Sequence, residues 1–488
     1  MNAAPDGDPT ATNETPWPPR LVVATGALLT LGAALVRAVA RPGRPMWGDE
    51  AFTLALVRYP AAEVLEFLTH REVNGGLYTL LLVGLLTLTD ALGLEPLVAA
   101  RGLSALCGVV AVPALYLLGR RLAGDRVGAL AALLLAVNQF HVSYSLEGRG
   151  YTLAVLLVIL SSSALVALLD EPRWSRALGF GLLAGLATWA HLFAALALAG
   201  QGLAALLHPR LRHARCAPLG GLTLGVGLSL GVMARGAWGD AGQVIWVDPL
   251  DWTQVVNLLV KLGGRVWLLL VFWSLGLGVA LLGLRAGGRR AFPLALAGAL
   301  GLVPVLLALL VSTVKPLLVP RYLLVALPGV LLLAGLGLAS LRRRVPVLVA
   351  ALLLTGLSLR EVAGETYGDP PWQPIDRVAA RLLELARPGD ALVVSHPALA
   401  VSLEREFSRL GRGPGPERIS PVAGDLLDLH GERRAPLGER ARGHAGVLFL
   451  LFAEQPQSEQ LRAALAEAGA VTADEPFDGV RLLRLERR

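Results

Sequence analysis

Between Leu21 and about Leu359, apolar runs of 15–22 residues recur, separated by short polar joints. Crossing the hydrocarbon core of a bilayer takes about 20 residues of helix, and a water-soluble domain has no use for so many runs of that length. The chain is therefore expected to fold as a mostly α, polytopic membrane protein of about eleven transmembrane helices. The charge content agrees: 17% of residues are charged, against roughly 25% in soluble proteins. From Arg360 onward the composition becomes that of an ordinary charged domain.

The expected spans are Leu21–Ala40, Leu97–Leu118, Val127–Tyr144, Tyr151–Leu169, Ala177–Ala190, His191–Leu207, Pro218–Arg235, Gly264–Leu284, Phe292–Ser312, Tyr322–Ser340 and Val345–Leu359. Arginine clusters fall at Arg120/Arg121/Arg126, Arg173/Arg176, Arg210/Arg212/Arg215, Arg285/Arg289/Arg290 and Arg342/Arg343/Arg344. Short loops rich in Lys and Arg stay cytoplasmic. With these spans all five clusters share one side with the N-terminus, which accounts for the pI near 9.9 without a nucleic-acid partner. Parity also settles Leu77–Leu94: a full crossing there would put every cluster outside, so it reads as an interfacial or dipping helix. Met1–Arg20 lacks a basic n-region, so the first span reads as a retained anchor. Cys107 and Cys216 form neither a disulfide framework nor a metal-ligand spacing.

The middles of the spans are nearly free of charge, unlike those of a transporter, where intramembrane ionisable groups mark the pathway. The chemistry-bearing residues sit at the outer ends. Asp49 and Glu50 follow the first span, and read either as acids suited to a helix N-terminus or as reactive carboxylates. Tyr144, Glu147 and Arg149 occupy a tight joint between two spans, as an ion pair or as an anion contact. Arg101, Lys315 and Arg321 are cations on the side opposite the clusters, where a phosphate partner supplies a reason for them.

The order of these motifs resembles the GT-C class of membrane glycosyltransferases, in particular family 39, the protein O-mannosyltransferase and aminoarabinose transferase type. The residues that carry the resemblance are Asp49-Glu50, the apolar helix after it, Arg101-Gly102-Leu103-Ser104-Ala105-Leu106-Cys107-Gly108, Tyr144-Ser145-Leu146-Glu147-Gly148-Arg149-Gly150-Tyr151 and Arg321-Tyr322-Leu323-Leu324 before Pro328. The resemblance implies inverting transfer of a monosaccharide from a polyprenyl-phosphate donor to a lipid, glycan or protein acceptor. It places the general base on Asp49 with Glu50 beside it. Arg101, Arg149, Lys315 and Arg321 become candidates for the donor phosphate, supported by Glu147, Tyr144, Asn74 and His191. No cofactor is implied; a divalent metal (Mg or Mn) is left open, because members of the class differ on it. Many relatives carry His-Pro-Pro where this chain has Asn74-Gly75-Gly76, and the two glycines predict a more flexible segment. Two other classes remain as alternatives: an inactive relative acting as a glycolipid-binding or cell-envelope scaffold protein, and a lipid or sugar transporter.

The domain organisation expected is a cytoplasmic tail over 1–20, a transmembrane domain over 21–360 whose first outer loop with interface helices covers 41–96, and an extracytoplasmic α/β domain over 361–488. The protein is expected in the cytoplasmic membrane. In the last domain Pro370–Pro374 reads as a linker, Ile375–Ala386 and Ser458–Ala468 as helices, Asp390–Ser395, Gly446–Phe452 and Val480–Leu485 as strands, and Gly411–Pro416 as a loop. Ser395 and His396 have no supporting motif. Trp246, Asp248, Asp251 and Trp252 in the loop over Gly236–Gly263 read as interface anchors or as a sugar-stacking surface, and Glu63 and Glu66 as a solvated helix face.

Overall fold

The computed structural model describes residues 16–39, 46–70, 74–89, 92–208, 216–238, 247, 249–286, 291–341, 343–367, 374–394, 397–411, 417–419, 444, 446–452 and 470–486. Trp246, Asp248, Ser395, His396, most of the linker and loop at 370–374 and 411–416, the helix expected over Ser458–Ala468, and the arginines at 210, 212, 215, 289, 290 and 342 lie outside the described residues. The chain divides into two compact units.

The helices in chain order are α1 (Pro19–Val39), α2 (Gly48–Leu56), α3 (Ala61–His70), α4 (Gly76–Thr89), α5 (Pro96–Ala123), α6 (Asp125–Val137), α7 (Gln139–Ser145), α8 (Tyr151–Asp170), α9 (Trp174–Ala190), α10 (Ala194–Leu206), α11 (Cys216–Trp238), α12 (Trp252–Leu262), α13 (Trp267–Ala286), α14 (Ala291–Ser312), α15 (Leu327–Ala339), α16 (Arg344–Tyr367), α17 (Ile375–Leu385) and α18 (Pro397–Arg409), with a 3-10 segment at Pro320–Ala326 before α15. Among the described residues eight helical stretches are long and apolar enough to cross a membrane, or nine if the bent pair α6–α7 is one span. The protein is a multi-pass membrane protein. One of the expected spans, His191–Leu207, is shorter than the sequence suggested: α10 has only 13 residues, because His191–Phe193 form a turn. α9 has 17 residues and starts at Trp174, ahead of the expected Ala177. α4 has 14 residues, about 21 Å at 1.5 Å per residue, well under the hydrocarbon thickness.

The first unit holds residues 1–41, 68–78 and 100–367. α15 lies at its centre, packed on α13, α6 and α14, and 83% of its apolar stretch is buried, against 11% for α1. The exposed side of α1 carries Val23, Leu28, Leu31 and Leu35, and that of α16 carries Val345, Leu348, Val349 and Leu352. Such apolar faces are stable only against lipid or protein. Close backbone approach holds the interior together, as in other membrane bundles: a Cβ at Gly276 would strike the Leu333 carbonyl, and one at Gly337 the Phe272 carbonyl.

α6 and α7 meet at a 58° bend. Asn138 leaves helical geometry there with ψ 119°, and its side chain accepts from the His141 amide at 3.1 Å, which caps α7 and restarts the helix in a new direction.

The second unit holds residues 42–67, 79–99 and 368–488. Its sheet consists of β1 (Ala391–Val394), β2 (Glu417–Ile419), β3 (Gly446–Phe452), β4 (Ala470–Phe477) and β5 (Val480–Glu486), in the order β2-β1-β3-β5-β4. β1 is parallel to β2 and β3, while β5 is antiparallel to β3 and β4. Apolar residues of α17 and α18, among them Val378, Leu382, Leu399, Leu403 and Phe407, pack on one sheet face with Leu392, Leu448 and Leu482. Asp390, just before β1, is buried against Arg484 of β5 at 3.0 Å. α18 also packs on α2, and Arg58 pairs with Glu404 at 2.8 Å while Arg405 pairs with Glu95 at 2.7 Å. The amphipathic sequence of α18 and the edge strand β4 escaped the sequence reading. β4 reads as polar because, at the sheet edge, most of its residues are exposed or only partly buried.

Candidate active site

In the second unit, Gly48–Leu56 begins with the two carboxylates that the sequence singles out. Asp49 and Glu50 occupy the first turn of α2, where acids oppose the helix dipole favourably. They differ in surroundings. Glu50 is 1% exposed and turns back so that Oε2 accepts from the Trp47 amide at 3.4 Å, the return arm of a capping box. Asp49 is half-buried, and its carbonyl oxygen accepts from Thr53 Oγ1 at 3.1 Å. A carboxylate engaged as a helix cap is a poor candidate for a base, so Asp49 is the better of the two.

The same unit contains a cavity of about 770 Å³ lined by apolar side chains of α2, α4 and α5 with Arg58, Glu95, Glu404, Arg405 and Arg409. None of the residues singled out from the sequence lines it. Its arginines are engaged: Arg58 and Arg405 in the pairs above, and Arg409 with the buried Glu406 at 3.3 Å.

In the first unit, four segments far apart in sequence converge. The joint Leu146–Gly150 carries Glu147 and Arg149, both half-buried; the turn after α9 carries His191; the 3-10 segment carries Arg321 and Tyr322; and the turn before α4 carries Asn74. Asn74 Oδ1 accepts from the Leu192 amide at 3.3 Å, tying its turn to that of His191. A chain of aromatic contacts runs through the cluster. Tyr144 meets Tyr151 edge-on at 5.0 Å between centroids, Tyr151 meets His191 at 5.3 Å, and His191 meets Tyr322 at 5.1 Å. Phe193 closes the group against Tyr322 at 5.1 Å, and the Arg321 guanidinium carbon lies 5.4 Å from the Tyr322 ring centroid.

His191 is 3% exposed, outside the helices of the spans. Burial first, then the charges of Arg149 and Arg321, push its pKa down to about 3. The imidazole is therefore neutral at physiological pH, and both guanidinium groups contribute to holding it so.

Residues without a separate role in the sequence reading hold this arrangement. Ser104 of α5 donates to the Arg149 carbonyl oxygen at 3.0 Å, and its hydroxyl lies 3.0 Å from the Tyr78 hydroxyl, which donates to the Ala100 carbonyl at 2.7 Å. Thr152 returns a bond to the Ser104 carbonyl at 2.8 Å. Gly150 packs where a Cβ would stand 2.9 Å from the Ala190 carbonyl oxygen. The two glycines after Asn74 have separate reasons. Gly75 takes φ +84°, and Gly76 sits where a Cβ would be 2.5 Å from Trp189 Nε1.

Not every candidate joins the cluster. Lys315 is exposed on the turn after α14, and no described contact links it to His191 or Tyr322. Arg101 is half-buried on α5, directly after the Ala100 carbonyl that takes the Tyr78 hydroxyl. Among the described residues no three His, Cys, Asp or Glu side chains stand together so as to hold a metal ion.

Residues 80–234 match the family described as dolichyl-phosphate-mannose-protein mannosyltransferase. Curated protein sequences give no match. Three glycosyltransferase structures share the fold. ArnT from Cupriavidus metallidurans in the apo state aligns with TM-score 0.61 at 13% identity, covering 95% of this chain and 98% of that one. Archaeal oligosaccharyltransferase AglB from Archaeoglobus fulgidus, in complex with an inhibitory peptide and a dolichol-phosphate, aligns with TM-score 0.55 at 12% identity over 88% of this chain and 69% of its own. Arabinofuranosyltransferase AftD from Mycobacteria aligns with TM-score 0.50 at 14% identity over 97% of this chain and 40% of its own. The chain therefore has the GT-C fold of membrane glycosyltransferases, and over residues 80–234 it matches the protein mannosyltransferase family.

Proposed function

We propose that this protein transfers a monosaccharide from a polyprenyl-phosphate donor to an acceptor on the outer face of the cytoplasmic membrane, with inversion at the anomeric carbon. The observation that carries the reading is the convergence of the segments bearing Arg149, His191 and Arg321, with His191 against Tyr322 at 5.1 Å and both arginines near enough to depress the buried imidazole. Two fixed cations at one place suit a phosphate whose charge grows as it leaves. A neutral His191 leaves that potential to the arginines. ArnT has been solved bound to undecaprenyl phosphate, which supports the same chemistry here.

Asp49 is the base in this reading. The acceptor hydroxyl gives its proton to the Asp49 carboxylate while its oxygen bonds to the anomeric carbon, and the carbon–oxygen bond to the donor phosphate breaks. Arg149 and Arg321 neutralise the departing polyprenyl phosphate. Arg101 and Lys315 are further candidates for that role, with Glu147, Tyr144 and Asn74 supporting the loops that carry it. The N-terminus is cytoplasmic and the domain from residue 361 is extracytoplasmic in this topology.

The test is transfer of labelled sugar from polyprenyl-phosphate donors in membranes, comparing wild type with Asp49→Asn. Loss of several orders of magnitude in rate at unchanged protein level is the expected result. Equal rates in both would remove Asp49 from the mechanism. Binding of donor lipid without transfer from any donor would instead favour a glycolipid-binding protein that has lost activity.

A further inference from the structure

Arg37 is an expensive residue. It sits in the last turn of α1, whose other faces are apolar, and is only 5% exposed. Among the described residues it has no carboxylate partner. Its guanidinium is held by neutral acceptors: Nη1 donates to the Ala33 carbonyl at 3.0 Å and to the Ala136 carbonyl at 3.3 Å, and Nη2 reaches His141 Nδ1 at 2.8 Å. His141 is fully buried. As an acceptor at Nδ1 it carries its proton on Nε2 and is neutral.

These acceptors lie on both sides of one feature, the 58° bend at Asn138. Ala136 is in the final turn of α6, where a helix end leaves carbonyls without intrahelical donors. His141 is in the first turn of α7. One planar guanidinium thus bridges the end of one helix and the start of the next, which a single-point donor cannot do. The space is shaped for it. Gly108 of α5 lies alongside, and a Cβ there would be 3.2 Å from Arg37 Nε and 2.7 Å from Ser145 Cβ, at the last residue of α7. Asn138 Nδ2 is meanwhile tied to the Leu262 carbonyl at the end of α12, at 3.4 Å.

α7 carries Tyr144 and leads directly into Glu147 and Arg149. We infer that Arg37 is a positioning residue: it latches the α6–α7 bend through His141 and Ala136, and so sets where the Leu146–Gly150 joint holds Arg149 for a phosphate ligand. This rests on the donor-site reading above. Loss of Arg37 leaves two buried acceptors, the Ala136 carbonyl and His141 Nδ1, without a donor, so it costs stability as well as position.

The experiment uses the full chain with Cys107→Ser and Cys216→Ser, reporting from Ser145→Cys. Three readouts are taken for Arg37→Met: thermal stability, alkylation of the cysteine at 145 by N-ethylmaleimide, and affinity for undecaprenyl phosphate. The latch predicts a lowered Tm, from the two acceptors left without a donor, together with alkylation at least 10-fold faster and lipid affinity at least 10-fold weaker. His141→Gln, whose amide oxygen can still accept from Arg37, should retain wild-type behaviour, while His141→Leu should follow Arg37→Met. A Tm and a lipid affinity that fall while alkylation at position 145 stays unchanged make Arg37 merely structural. Unchanged alkylation and lipid affinity remove the latch. None of the three readouts requires sugar transfer, so an inactive wild type would sink the enzymatic reading while leaving this one decided on its own terms.

Discussion

The hydroxyl of Ser104 donates to the carbonyl oxygen of Arg149 at 3.0 Å, so α5 holds the backbone of the joint that carries a site cation. Ser104 is fully buried and lies within hydrogen-bond distance of Tyr78 as well. Ser104→Ala leaves the Arg149 carbonyl short of its donor in a partly buried site. A cost of about 1–3 kcal/mol follows, measurable as a lower Tm in detergent. Donor KM should rise with it, while a variant that lost stability with an unchanged KM would show that the bond supports the fold alone.

The four cations named from the sequence should separate into two groups. Arg149 and Arg321 both act on His191, whereas Lys315 is exposed. Arg149→Met and Arg321→Met are expected to weaken donor use by at least about 100-fold, the scale of removing a charged donor from a developing anion. Lys315→Met should change kcat/KM by less than about 3-fold, in keeping with the small worth of an exposed charge. Steady-state kinetics across donor concentration reads both, and a large Lys315 effect would extend the site to the turn after α14.

His191 makes stability depend on pH in a stated direction. Its pKa falls from 6.5 to about 3 in the folded protein, through burial and then Arg149 and Arg321. The unfolded chain therefore binds the extra proton first, and stability is lost as pH drops from about 6.5 toward 3. His191→Gln should flatten that part of the Tm-against-pH curve. It should leave the pH-rate profile between pH 6 and 8 without a lost inflection, because the imidazole is neutral throughout. Loss of an inflection near pH 6.5 on substitution would mean that His191 titrates in the working enzyme.

The membrane architecture was legible because its signal is additive: long apolar runs and clustered arginines repeat along the chain, and each repeat carries the same message. Gly446–Phe452 was read to the residue for a related reason, as a short apolar run bounded by turn residues. The latch and the tether were not legible. Arg37 sits in an apolar run with no motif, and its partners are 99 and 104 residues away. Ser104 was visible as part of a motif, but nothing local says that its hydroxyl serves Arg149. The turn at His191 was legible because Ala177–Leu207 is too long for one span and has to break there. Its tie to Asn74, at a separation of 118 residues, was not. Side-chain bonds to distant backbone groups leave no period in a sequence.

Asp49 and Glu50 are adjacent and chemically alike, yet their environments assign them different work. Glu50 is buried with its carboxylate turned toward the Trp47 amide, so it serves the start of α2. Glu50→Gln keeps an oxygen that accepts the same bond, and is expected to lose no more than about 10-fold in rate, well short of the effect of removing a general base. Glu50→Ala removes the bond and should cost about 1 kcal/mol of stability, the usual worth of a cap. Asp49→Asn keeps the helix and removes the proton acceptor, so its loss falls on kcat at unchanged Tm. The decisive comparison is Glu50→Gln against Asp49→Asn in one membrane preparation: if the Glu50 variant is the one that stops transfer, the base and the cap exchange places.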